Sequence, residues 1–97
     1  MLPKEKINMT QAIFNDIIYQ IPRLRWSCRR GMLELDVLLG NFLEKAYPAL
    51  PDSAKWQFVR LLECVDPALF AWLMGHEVPA DPELAAIIEM IRHHARS

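Results

Sequence analysis

Apolar residues recur at three- and four-residue steps along most of this chain, and every such run is cut within a few turns by proline or glycine. A proline inside a helix removes a backbone hydrogen bond and clashes with the preceding turn, at a cost of ~3 kcal/mol, so the runs must be separate short helices. No stretch alternates apolar and polar residues over six positions, which leaves no strand pattern. The fold class predicted is all-α: a small five-helix bundle, with an extra N-terminal helix open as an addition.

The punctuation sets the order of elements. Ile13, Phe14, Ile17, Ile18 and Ile21 fall at helical spacing behind Thr10, a candidate N-cap, and Pro22 marks a boundary. Residues 1–22 are therefore read as an extension, with Met9 an alternative start, and 23–97 as the domain. A short helix is expected from about Leu24 to Arg30, interrupted by Gly31. Leu35, Leu38, Leu39, Phe42, Leu43 and Ala46 then form one buried stripe, ended by Tyr47-Pro48. After the Leu50-Pro51-Asp52-Ser53 turn, Phe58, Leu61, Leu62 and Val65 are expected to line the core. Asp66-Pro67 and Asp81-Pro82 each pair a capping carboxylate with proline at a helix start. The first of these helices should stop at Gly75, and the second carries Leu84, Ile87, Ile88 and Ile91.

At 97 residues and 53% hydrophobic the chain suits one domain with a core of its own. A net charge of −1 argues against general binding to nucleic acid or anionic membrane, which needs a broad cationic surface. No apolar run is long enough to span a bilayer, and residues 1–6 lack the apolar stretch of a signal peptide. The two cysteines, Cys28 and Cys64, are far apart and form no C-x-x-C pair, so a reducing, cytoplasmic setting is expected, with both thiols buried and inert.

One segment departs from this plain pattern. Arg23-Leu24-Arg25-Trp26-Ser27-Cys28-Arg29-Arg30-Gly31-Met32-Leu33-Glu34 gathers four arginines around a single carboxylate in a nearly neutral chain. Arg30 and Glu34 have the i,i+4 spacing of an exposed helical pair, worth only ~0.3–0.5 kcal/mol. Alternatively, Gly31 breaks the helix and Glu34 lies in the first turn of the next one, near its positive end. Arg25 and Arg29, also four apart, call for compensation by an acidic partner surface, a phosphate, or carboxylates within the chain such as Glu63 or Asp66. Trp26 either joins the core or stacks an arginine, and the core is the expectation for tryptophan.

Catalytic signatures are missing. No nucleophile motif, H-E-x-x-H, Gly-rich phosphate loop or dinucleotide fingerprint occurs, so the chain is expected not to be an enzyme. His76, His93 and His94 have no metal-site spacing, and no metal is expected.

The blocks Arg-Trp-x-Cys-Arg-Arg-Gly-Met-x-Glu-Leu-Asp at 25–36, Phe42, Arg60-Leu61-Leu62-Glu63-Cys64-x-Asp66-Pro67-x-Leu69-Phe70-x-Trp72-Leu73-Met74 and Pro79-Ala80-Asp81 closely resemble the SdhE (YgfY) family of succinate dehydrogenase assembly, or flavinylation, factors. The similarity runs over about 23–92. It implies a five-helix, non-enzymatic factor that binds the flavoprotein subunit of succinate dehydrogenase and promotes covalent attachment of FAD to a histidine there, with the fumarate reductase flavoprotein as a further client. The family's R-G-x-x-E signature maps onto Arg30, Gly31 and Glu34, with Arg29 and Asp36 adjacent. With Arg25 and Trp26, these residues are the expected client-binding surface. The extension before Arg23 departs from the compact family pattern.

FAD would then be handled by the client rather than held stably by this chain, which offers no phosphate-cradling loop. A monomer or weak homodimer is expected. Two other readings use the same surface: an antitoxin-like interaction module acting on another client, as some members of the family are described, and a DNA-binding helix pair presenting the arginines to phosphates.

Overall fold

The computed structural model describes residues 17–96. Thr10, Ile13 and Phe14, expected on an N-terminal helix, lie outside them, as do both candidate start residues. Within the described residues a helical turn at 17–19 precedes five α-helices: α1 (Ile21–Ser27), α2 (Leu33–Lys45), α3 (Asp52–Leu62), α4 (Asp66–Leu73) and α5 (Pro82–Arg96). A single 3₁₀ turn, Tyr47–Ala49, joins α2 to α3. The all-α expectation and its five helices hold for this part of the chain.

α1 begins earlier than expected. Pro22 sits in its first turn, where no intrahelical partner exists for the missing N–H and the fixed φ suits the helix. The break falls instead at Gln20, whose φ of −90° and ψ of 76° are not helical. α1 also ends sooner, at Ser27, because Cys28 to Gly31 turn the chain toward α2.

α5 is the spine of the bundle and packs on α2, α3 and α4, while α1 rests on α2. Its Ile87, Ile88 and Ile91 meet Leu35, Leu39, Phe42 and Leu43 of α2 and Phe58, Leu61 and Leu62 of α3 in one continuous core. Phe58 stands between two aromatic neighbours, 5.4 Å from Phe42 and 5.3 Å from Tyr47, distances at which tilted ring pairs attract. Residues 17–21 close the same core: Ile18 is fully buried, and its carbonyl accepts a 2.6 Å hydrogen bond from the buried Tyr47 hydroxyl.

Two expectations fail here for geometric reasons. Val65 is not on the core stripe of α3, which ends at Leu62; it is the N-cap of α4 and 68% exposed. Asp66 makes no capping hydrogen bond, because it is the first residue within α4 and its carboxylate turns to Arg30. Asp81 does cap, its Oδ1 accepting from the Glu83 N–H at 2.8 Å, while Oδ2 pairs with Arg60 at 2.6 Å. Those contacts hold the Asp81 carboxyl below the usual carboxylate range, chiefly through the Arg60 hydrogen bond. Gly75, at φ +81°, ends the α4 turn as expected.

Candidate functional site: the corner between α1 and α2

The five residues after α1 reverse the chain so that α2 starts at Leu33. Arg29 N–H still donates to the Trp26 carbonyl at 3.0 Å, but the next amide, that of Arg30, is taken by the Asp36 carboxylate at 2.6 Å. Asp36 thus ties the turn to the first turn of α2, which it shares with Glu34. Glu34 lies where a negative charge meets the helix's positive end, as the second sequence reading anticipated.

Gly31 makes the reversal with φ +82°, a region that a Cβ disfavours by ~1–2 kcal/mol. Nothing lies within 4 Å of where its Cβ would stand, so the glycine is required by backbone geometry and also leaves open space in front of the turn. Gly31→Ala is therefore expected to lower stability by about 1–2 kcal/mol in urea titration, with Gly31→Asn recovering part of the loss because asparagine tolerates this region better.

Arg30 points inward. Its side chain is 14% exposed. Nη1 donates to the Ser27 carbonyl at 3.0 Å, and Nη2 donates to the Leu62 and Cys64 carbonyls, both at 2.8 Å. The last two acceptors lie at the end of α3 and two residues beyond it, where carbonyls lack intrahelical donors and a positive charge meets the negative end of the dipole. Nε lies 3.0 Å from Asp66 Oδ1 without directing its hydrogen at it, so that contact is an ion pair rather than a hydrogen bond. The i,i+4 pair with Glu34 that the spacing allows does not form among the described residues; the guanidinium clamps the corner to the α3–α4 junction instead.

The other arginines sort differently. Arg25 Nε donates to Glu44 of α2 at 2.7 Å, so neither Glu63 nor Asp66 is its partner. Trp26 is not in the core: it is 72% exposed, because Leu24 and Cys28, one turn apart, take the buried side of α1. The Arg29 guanidinium carbon lies over its ring, 5.4 Å from the centroid, which realises the stacking alternative.

Cys28 is buried as expected, and burial pushes its thiol up to about 12 against a lesser downward pull from Arg30. Cys64 is only half-buried; its Sγ faces the Arg60 carbonyl at 3.8 Å. Burial raises this thiol as well.

The outward face of the corner thus consists of Trp26 and Arg29 before the turn, Gly31 within it, and Leu33, Glu34 and Val37 beyond it. Leu33 is 74% exposed and Val37 48%. Neither was singled out in the sequence, yet both fall off the Leu35, Leu39, Phe42 stripe and share a face one turn apart, which is the signal that marks them. Large exposed apolar side chains beside open backbone and charged groups make this a surface suited to binding another protein.

Comparison with known proteins places this corner in context. Residues 22–95 match the family model described as the flavinator of succinate dehydrogenase. The chain belongs to that family. It is 56% identical over 78 residues to the FAD assembly factor SdhE of Shewanella oneidensis, covering 80% of this chain and 95% of that relative. The relative of the same name from Idiomarina loihiensis is 59% identical over 70 residues, 72% of this chain and 74% of its own length. That of Yersinia pestis is 50% identical over 70 residues, 72% and 80% of the two chains. These relatives are named as assembly factors and not as catalysts, in agreement with the non-enzymatic expectation. The family match covers the corner and all five α-helices, apart from Ile21 and Arg96 at the two ends. Among the described residues no helix is long and apolar enough to cross a membrane.

Proposed function

We propose that this chain is a non-catalytic FAD assembly factor that binds the flavoprotein subunit of succinate dehydrogenase, and also that of fumarate reductase, and promotes covalent attachment of FAD there. The observation that carries the reading is the family match across residues 22–95, whose relatives bear the name FAD assembly factor. The outward face of the α1–α2 corner supports it, since Trp26, Leu33 and Val37 are large apolar groups in solvent.

The proposed mechanism is positioning. Trp26, Arg29, Leu33 and Glu34 contact the client, while Arg30, Gly31 and Asp36 keep the turn that presents them. Gripping the client in an arrangement that brings flavin and histidine together accelerates the attachment without any reacting group on the helper. FAD stays with the client. A mostly apolar cleft of about 670 Å³ between the end of α2 and α5 is lined by Phe42, Leu50 and Met90, with Glu89, His93 and His94 as its polar members, and has no arginine or lysine among its lining residues to hold a pyrophosphate. In this reading the chain works in the cytoplasm, a setting compatible with its two free cysteines.

The test is reconstitution of purified flavoprotein subunit with FAD, with and without this chain, followed by in-gel flavin fluorescence. The expected result is several-fold more covalent flavin with the chain present and a stable complex on co-purification. Equal loading in both arms contradicts the proposal.

A further inference from the structure

Arg25 and Arg60 are hydrogen-bonded to carboxylates, Arg30 is ion-paired with Asp66, and Arg92 and Arg96 approach Glu89. Among the described residues only Arg23 and Arg29 form no ion pair, and both are exposed. Arg29 differs from Arg23 in having its guanidinium over the ring of Trp26, 5.4 Å from the centroid, while Trp26 itself stands 72% exposed.

Such a guanidinium is partly preorganised. The ring restrains a long side chain that otherwise loses much rotamer freedom on binding, and the aromatic surface lowers the local dielectric beside the charge. Its hydrogen-bonding groups have no carboxylate to satisfy them within the described chain. A planar anion fits this arrangement, because guanidinium and carboxylate meet through two parallel hydrogen bonds.

We propose that the Arg29–Trp26 pair is a receptor for one carboxylate side chain on the surface of the flavoprotein client, and that this contact selects the client's orientation. The inference rests on the proposed function and names the chemistry of its partner surface. Trp26 acts as the positioning residue and Arg29 as the contact. A lysine cannot replace Arg29, since an ammonium carries the charge but neither the fork nor the planar face.

The test is the affinity of the full chain for the purified flavoprotein subunit, measured by calorimetry for Arg29→Ala, Arg29→Lys, Trp26→Ala and the double alanine variant. Arg29→Ala is expected to weaken binding about 10- to 30-fold and Arg29→Lys to recover less than a third of the loss. The double variant should be no weaker than the product of the single effects divided by about 3, reflecting coupling of the pair. In the client, one Asp→Lys or Glu→Lys replacement should restore binding to Arg29→Glu.

Binding by Arg29→Ala within twofold of the unmodified chain overturns the inference, as does the absence of any restoring replacement. Competition by inorganic pyrophosphate against the unmodified chain but not against Arg29→Ala would identify a phosphate instead and overturn the carboxylate assignment. If Leu33→Asp abolishes binding while Arg29→Ala does not affect it, this inference falls and the proposed function stands. If the unmodified chain does not bind the subunit, both fall.

Discussion

Arg30→Ala is expected to destabilise the protein by about 3 kcal/mol, the loss that follows when a largely buried charged donor leaves its partners unmatched. Three carbonyls, those of Ser27, Leu62 and Cys64, lose their shared donor, and Asp66 loses its cation. For a domain of this size the change corresponds to a fall in Tm of roughly 12–24 °C. Arg30→Lys should recover little, because one ammonium on a flexible stem cannot reproduce the fixed spread of donors that reaches both α1 and the end of α3. Chemical denaturation followed by circular dichroism checks both variants. An unchanged midpoint for Arg30→Ala would mean that the clamp contributes nothing to the fold. Any loss of client binding in such variants must therefore be normalised to the folded fraction before Arg30 is credited with a contact.

Leu33→Asp should have the opposite profile. The side chain is 74% exposed, so stability is expected to stay within about 0.5 kcal/mol of the unmodified chain. Binding to the flavoprotein should weaken about 30- to 150-fold, because burial of a leucine at an interface contributes about 2–3 kcal/mol and an aspartate there must also be desolvated. Leu33→Met, which keeps an apolar group of similar size, should bind within about threefold. The measurement is a titration of the purified subunit alongside a thermal melt of each variant. Weak binding that tracks a lowered melting temperature would assign Leu33 to the fold instead.

The contrast between these residues shows what could be read from the sequence and what could not. Helix α2 was legible because Leu35, Leu39, Phe42 and Leu43 keep a strict stripe, and the α5 start because Asp81 can cap locally across two residues. Asp66-Pro67 carries the same letters, yet its carboxylate answers to Arg30, a residue 36 positions earlier (66 − 30), and no local pattern encodes that. The inward turn of Arg30 was hidden for the same reason: its acceptors at Leu62 and Cys64 come near only once α3 has packed. Trp26 was misplaced by its residue type, whereas its position between Leu24 and Cys28 puts it on the far side of α1.

At the corner itself, the family signature named a stretch of chain but not the division of labour within it. Gly31 is needed for a positive φ, Asp36 for the Arg30 amide, and Arg30 for the α3–α4 junction. The groups left facing solvent are Trp26, Arg29, Leu33, Glu34 and Val37, and in the proposed function they meet the client.

Covalent flavin per flavoprotein subunit, read by in-gel fluorescence in the presence of the Leu33→Asp/Glu34→Ala double variant, tests the account most directly. Both side chains are exposed and outside the Arg30 clamp, so the variant is expected to melt with the unmodified chain. The account predicts loading no higher than with no helper added. Loading equal to that given by the unmodified chain would contradict it.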